Sequence, residues 1–315
     1  MLHTLTLNPT LDLTYLVPDF RHDDTNRASA VYRAPGGKGI NVSRVAKRLG
    51  HPTVALGFLG GHTGLEVAEL LEAEGVRTWF VPIPGPTRTN PIVQDASGAQ
   101  LRVSSPGPAV TPAHVRALWN SIFTLRAPDW LLASGSRPAG VPEDFYPDMI
   151  RRARSEGIPT VVDADGEELR QGVAAGADLI KPNRYELERL VGRALPTLDD
   201  VIEGCGEARR LGAGGVAVSL GAEGALLVRA DGVWRAVPPQ VPVRSAVGAG
   251  DSFLAGLCTR LAEGHEPEDA LRFAVACGTA TAMTEGTTLC HPDDIGEVLW
   301  RVEVEALGLP AKLGA

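Results

Sequence analysis

Val247-Gly248-Ala249-Gly250-Asp251-Ser252-Phe253 sets two glycines around an alanine and follows them with a carboxylate. Apolar residues then recur at Phe253, Leu254, Leu257 and Leu261, a helical spacing. The stretch predicts a tight loop opening onto a buried helix. Free N–H groups at a helix start face outward and favour negative charge, and small residues let an anion approach the main chain. An acid among such donors suits phosphoryl transfer: the amides hold the moving group and Asp251 accepts a proton from the attacking hydroxyl. The same residues also fit an ordinary glycine turn, whose first-turn acid stabilises the helix by about 0.3–1 kcal/mol. The rest of the chain has to separate the two readings.

Outward from that stretch, the 315 residues are 44% hydrophobic and 22% charged, an ordinary globular composition that allows one large domain or two smaller ones. A net charge of −8 disfavours a general nucleic-acid or anionic-membrane surface. An anionic substrate would need a local cluster of Lys and Arg. The four cysteines (Cys205, Cys258, Cys277 and Cys290) form no CxxC pair and suit small core positions better than a zinc or redox site. Residues Met1 to Thr4 lack a basic leader pattern, and no apolar run approaches the ~20 residues that span a bilayer. A reducing cytoplasm is the expected home.

Residues 2–7 predict a strand, ended by Asn8-Pro9. Asp12 follows at a strand-to-loop position, where a lone Asp is commonly a turn residue. The β-favouring segment 13–33 and a hairpin over 92–103, broken at Ser97-Gly98, together suggest a small flap. Arg88 at the flap's base is either a partner for an anionic substrate or a surface charge. Between these lies a second glycine loop, Pro35-Gly36-Gly37-Lys38-Gly39-Ile40-Asn41, feeding a helix marked by Val42, Val45, Ala46 and Leu49 and closed by Gly50. Lys38 and the backbone could hold phosphate or sugar hydroxyls, or Lys38 could be solvated and Asn41 a helix cap. The string lacks the spacing of a phosphate-binding Walker loop.

From Pro112 onward, strands over 130–133, 160–162, 179–180 and 216–219 alternate with helices. A meander over 225–237 and helices over 251–263, 267–285 and 293–304 complete the pattern. Repeated strand–helix units predict a parallel sheet with helices on both faces. Asp12, Ser136, Asp163, Asn183 and Ser219 fall at strand C-termini, the edge where open α/β sheets bind ligands. No strand runs into a GxGxxG, which disfavours a dinucleotide fold. Asn183 and Glu186 fit both a magnesium site and an N-cap with its capping-box Glu.

The GGKGIN loop, the KPNxxE segment (Lys181 to Glu186) and VGAGDSF, in that order, resemble the ribokinase-like PfkB sugar-kinase family, and within it the sugar-phosphate kinases. Thr87-Arg88 and Ser134-Gly135-Ser136 fit that branch, and the likeness covers nearly the whole chain. The resemblance implies an α/β fold: a three-layer α/β/α sandwich with a mainly parallel sheet, one domain over 1–315, and a β lid from about 13–34 and 88–104. It implies Asp251 as catalytic base, with the amides of Gly248, Ala249 and Gly250 as anion hole. Asp12, Gly36, Gly37, Lys38 and Asn41 would line the sugar site. Arg88, Ser136 and, more weakly, Arg27 would hold the phosphate already on the sugar. Lys181, Asn183, Ser219, Gly221, Gly224, Gly250 and Thr279 would lie along ATP, with Asn183 and Glu186 organising Mg2+.

The amides around Asp251 should lower its pKa. Arg137, where relatives carry leucine, either contacts phosphate or faces solvent. The implied reaction is ATP- and magnesium-dependent phosphorylation of a ketohexose monophosphate. Fructose 1-phosphate comes first, with fructose 6-phosphate and tagatose 6-phosphate as rivals, and a non-catalytic sugar-phosphate sensor is the alternative of another class. Lid-mediated homodimers are also implied.

Overall fold

The structure, a computed structural model, describes residues 1–308. The first half of the chain runs β1 (Leu2–Thr6), β2 (Thr10–Leu16), β3 (Ala30–Gly36), α1 (Lys38–Arg48), β4 (Thr53–Gly60), α2 (Gly61–Ala73), β5 (Arg77–Ile83), β6 (Arg88–Gln94), β7 (Gln100–Arg102) and α3 (Pro112–Thr124). It continues with β8 (Trp130–Ser134), α4 (Phe145–Ser155), β9 (Thr160–Asp163), α5 (Gly166–Ala174), β10 (Leu179–Ile180), α6 (Arg184–Val191), α7 (Leu198–Arg210) and β11 (Val216–Ser219). The last part holds β12 (Ala225–Val228), β13 (Val233–Val237), α8 (Ala249–Ala262), α9 (Pro267–Ala282), α10 (Pro292–Leu299) and β14 (Glu303–Ala306).

The main sheet has the order β14-β13-β12-β11-β10-β9-β8-β1-β4-β5. The seven strands from β11 to β5 are parallel, and β12, β13 and β14 add antiparallel pairs at one edge. Alternate strand residues feed opposite layers, as a pleated strand requires. Leu2, Val161, Leu179 and Ala217 pack with Val42 and Val45 of α1, Leu254 and Leu257 of α8, Leu271 of α9 and Ile295 of α10. Leu5 of β1 and the adjacent Val162, Ile180 and Val218 pack on the other face with Leu118, Tyr146, Leu169, Leu187 and Val201 of α3 to α7. α2 joins the first face through Val67 and Leu71, against Ala55 and Leu59 of β4. Burial on both sides explains why β4 reads as a near-continuous apolar run. The expected three-layer sandwich is what the chain forms.

A second sheet, of order β3-β2-β6-β7, stands apart from the first. Its register pairs Asp12 with Ala34 on one side and with Asn90 on the other. Asp12 is therefore inside a strand rather than at a strand-to-loop junction, because β2 starts at Thr10. Gly36 ends β3, Gly37 caps α1 and Lys38 is already helical, so the GGKG run is a strand end and a helix start rather than a loop. The expected helix over 293–304 stops at Leu299, and β14 follows. Val302, Val304 and Ala306 alternate with Glu303 and Glu305, a period of two that an extended helix reading absorbed. All four cysteines are buried and unpaired. Among the described residues no helix is long and apolar enough to cross a membrane.

Candidate active site

From β1 the chain moves outward through β4 to β5, then returns to β8 on β1's other side and proceeds to β11. The gap at the carboxyl ends of β1 and β8 is therefore a topological switch point, where a crevice opens. Asn8 follows β1 and Ser136 follows β8, and Asn8 Nδ2 donates to Ser136 Oγ across the gap at 3.3 Å.

The second sheet meets this crevice at the end of β3, Gly36, and at the start of β6, Arg88. A Cβ on Gly36 would lie 2.3 Å from Asp12 Oδ2, and one on Gly39 2.6 Å from Thr6 Oγ1, so side chains at either position would evict a site residue or the strand end. Gly37 has φ +119°, which favours glycine. Thr6 Oγ1 accepts the amide of Ile40 at 3.0 Å and locks the start of α1 to β1. Burial raises the pKa of Asp12, opposed by the neighbouring Thr10 and Asn90 side chains and by the charges of Arg88 and Arg44. Arg88 donates to the carbonyls of Asn8 (2.9 Å), Ser105 (3.0 Å) and Pro9 (3.4 Å), and so holds the turn after β1.

Asp251 sits in the first turn of α8, whose N-cap Gly248 has φ +76°. A Cβ on Gly248 would meet Leu289 Cδ2 at 2.4 Å. Asn41 is not a cap: its Nδ2 donates to Asp251 Oδ2 at 2.8 Å, joining α1 to α8. Burial and the nearby Asp163 carboxylate push the pKa of Asp251 up to about 6, against the Asn41 hydrogen bond and the charges of Lys38 and Lys181. The expected lowering is thus reversed, since lost hydration and a like charge outweigh the donors. Lys38 Nζ is 2.9 Å from Asp163 Oδ1 and 3.7 Å from Glu186 Oε1. Lys181 Nζ is 3.4 Å from the same Asp163 oxygen. Burial opposes the charge on Lys38, but Asp163, Glu186 and Asp251 together hold its pKa above the ordinary lysine value.

Beyond β10 and β11 the edge turns polar. Asn183 Oδ1 accepts the amide of Glu186 at 2.9 Å, and Glu186 Oε2 accepts that of Asn183 at 2.8 Å, so the pair is a capping box on α6. Ser219 bridges Asn183 as an extension of the sheet. Gly221 and Gly224 have φ +61° and +95°, and a Cβ on Gly224 would strike Ala236 O at 1.9 Å. Thr279 bonds Val275 O within α9, and the neighbouring Gly278 lies against Ala249 O at the start of α8. Arg27 is not brought to the site. It is exposed in the connection beyond Leu16 and Ala30, four register steps from Asp12, or about 13 Å by strand rise. Arg137 donates to Glu168 (3.2 Å) and Val141 O (3.4 Å) and is mostly covered rather than facing open solvent.

The family model described as pfkB family carbohydrate kinase matches residues 6–294. This chain is a pfkB-family carbohydrate kinase. It is 38% identical to the ATP-dependent 6-phosphofructokinase isozyme 2 of Escherichia coli, over 94% of this chain and 97% of that protein. It is 35% identical to the 1-phosphofructokinase of Borreliella burgdorferi, over 97% and 98%. The crystal structure of Escherichia coli phosphofructokinase-2 in complex with substrates and products superposes with a TM-score of 0.91 at 38% identity, covering 95% of this chain and 98% of that one. The chain is therefore a sugar-phosphate kinase, with ATP as the co-substrate its family implies.

In this pfkB kinase Asp163, Arg102 and Asn8 carry no individual role from sequence. Asp163 was visible as a strand-end carboxylate, yet nothing in its spacing showed that it collects two lysines. Arg102 shares a face with Asp12 through the pairs Thr14–Ile92 and Ile92–Arg102, and Gln100 Oε1 accepts its Nη2 at 2.7 Å. The alternation of the 92–103 hairpin was the available signal. Asn8 was recognised only as a strand stop.

Proposed function

We propose that the enzyme transfers the γ-phosphoryl group of ATP to fructose 1-phosphate, giving the 1,6-bisphosphate. The observation that carries this reading is Asp251, held by Asn41 at the open N-terminus of α8 with its pKa raised to about 6. The acceptor hydroxyl gives its proton to Asp251 as its oxygen bonds to phosphorus, and the electron pair of the broken bond leaves with ADP. The amides of Gly248, Ala249 and Gly250 receive the transferring oxygens. Asp12, Gly36, Gly37 and Asn41 line the sugar, with Lys38 beside them. Arg88 keeps two N–H donors beyond its three carbonyl bonds for the sugar's own phosphate, and Ser136 adds a hydroxyl.

Lys181, Asn183, Ser219, Gly221, Gly224 and Thr279 follow ATP. Among the described residues no group of three acidic, His or Cys side chains could hold a metal. Magnesium fits such a site, because it keeps its waters and phosphate oxygens and takes one or two carboxylates. Glu186 Oε1, outside the capping box and 3.7 Å from the Lys38 ammonium, would be the oxygen to take it, with Asn183 beside it. Bound there, the ion would neutralise phosphate charge.

The whole chain acts as one domain, and the sheet built from about 13–34 and 88–104 is its lid. Closure excludes water and suppresses hydrolysis of ATP. The lid face opposite Asp12 carries Leu13, Tyr15, Val31, Val93 and Leu101, with Val31 and Leu101 about half exposed. A second copy covering that face gives a homodimer in a cytoplasmic setting. The test is coupled ADP release with fructose 1-phosphate, fructose 6-phosphate and tagatose 6-phosphate. The proposal expects the highest kcat/KM for the first. The kinship to a 6-phosphofructokinase supports fructose 6-phosphate as the second reading. Turnover of none of the three overturns both.

A further inference from the structure

The site divides into two halves, and Lys38 is in the unexpected one. Arg88, Asn8 and Ser136 form one polar group, tied together by the carbonyl and side-chain bonds already described. Lys38 belongs to the other. It is the first residue of α1, and its ammonium reaches Asp163 and Glu186 rather than the Arg88 group. Lys181 reaches the same Asp163 oxygen and stands 3.5 Å from where a Cβ on Gly250 would be, over the mouth of the GAGD turn. Two ammonium groups therefore flank one carboxylate beside the helix start that holds Asp251.

That carboxylate is built in. Asp163 is wholly buried, its Oδ1 meets both lysines, and its Oδ2 has no hydrogen-bond partner. A buried carboxylate survives only with cations against it, so Asp163 fixes where the lysine heads stay. Lys38 keeps about a third of its side chain exposed, so an incoming phosphate can reach it.

We infer that Lys38 is a catalytic residue of the transfer step, lending charge to the moving phosphoryl group rather than gripping the phosphate already on the sugar, and that Asp163 is the residue that positions it. The inference rests on the kinase reading above. The acceptor oxygen bonds to the γ-phosphorus, the bond to the bridging oxygen breaks towards ADP, and the hydroxyl proton goes to Asp251. Lys38 keeps its own proton throughout and faces the equatorial oxygens, where charge is spread in a loose transition state.

The experiment is a steady-state and binding comparison of wild type with K38M, using ATP and whichever of the three sugar phosphates the wild type turns over fastest. Wild-type turnover tests the kinase reading on its own, before any variant is made. Losing one preorganised donor to transition-state charge costs roughly 10²–10³ in kcat. The expected result is a kcat fall of that order, with KM for the sugar phosphate and its calorimetric affinity within about threefold of wild type. Affinity for ADP with aluminium fluoride should fall while affinity for ADP alone is kept. A tenfold or larger rise in sugar-phosphate KM at unchanged kcat would place Lys38 on the resident phosphate and overturn the inference, as would no change in either constant. Should K38M fail to fold because Asp163 loses a cation, the double variant K38M/D163N removes both charges. Retained kcat in that protein also overturns it. For Asp163, D163N alone should lower kcat at unchanged sugar-phosphate KM. K38R should recover part of the K38M loss, a rescue that a merely structural lysine would not show.

Discussion

Replacing Asp251 with asparagine should make the protein inactive and more stable at once. Burial and the like charge of Asp163 raise this carboxyl from 3.8 to about 6. A displacement of about two units corresponds to roughly 3 kcal/mol between the charged and neutral forms, at about 1.36 kcal/mol per unit. The sign follows from the raised folded-state value. Between about pH 4 and pH 6 the folded state binds the proton more tightly, so stability from this group falls as pH rises and stays low above pH 6. Asparagine mimics the neutral form at every pH. D251N should therefore match wild type near pH 4 and exceed it by up to about 3 kcal/mol at pH 8, a Tm gain on the order of 5 °C for a chain of this size. Its kcat should fall about 10²–10⁴-fold through loss of the base. The assay is denaturant unfolding at a series of pH values, alongside coupled ADP release. A variant less stable than wild type at pH 8 would mean that Lys38 and Lys181 stabilise the carboxylate outright, and the proposed origin of its basicity would be wrong. Near-full activity would remove Asp251 as the base.

Other substitutions report on separate parts of the molecule. R88A should raise KM for the sugar phosphate by about 10–100-fold, the scale of losing charge-assisted hydrogen bonds, with little change for ATP; equal effects on both substrates would exclude Arg88 from the sugar side. G248A forces a side chain into φ +76° and against Leu289, so a stability loss of roughly 2–4 kcal/mol and a lower kcat are expected, and a wild-type Tm would contradict the packing. His3 is wholly buried with neither ring nitrogen partnered, and burial followed by the N-terminal charge lowers its pKa to about 4. Its depressed value means that stability is complete above about pH 6.5 and is lost as pH falls towards 4, by up to roughly 3 kcal/mol. H3L should flatten that slope in pH-dependent unfolding, and an unchanged slope would assign it to other groups.

The layers and most elements were legible because their signals are local. β1, α6, β11 and β13 begin and end within a residue of where alternation, caps and turn residues put them. What sequence missed depends on partners far along the chain. The register that puts Asp12 inside β2 is set by Ala34 and Asn90, 22 and 78 residues away. β14 forms only because β13 offers it an edge; isolated, its alternation was too short to interrupt a helix. Asn41 looked like a cap because its bond to Asp251 crosses 210 residues. The same distance explains the reversed pKa: the flanking amides can be read from the stretch itself, whereas burial under α1 and the charge of Asp163 cannot.

That reversal ties the site's chemistry to the cost of keeping it folded. Asp163, Glu186 and Asp251 bring three carboxylates to a crevice that Lys38 and Lys181 serve with two cations, and the N-termini of α1 and α8 add only partial positive charge. An optimally stable protein would pair every one of these carboxylates, and Asp251 would then titrate near its ordinary value and be a poor base at neutral pH. Leaving it under-compensated keeps its proton affinity close to the working pH, where a general base is most effective. Both lysines go to Asp163, the carboxylate with no route to water, and only amide donation from Asn41 goes directly to Asp251. The unequal sharing of cations between two nearby acids sets one as anchor and the other as base, and a variant that evened it out should lose turnover while gaining stability.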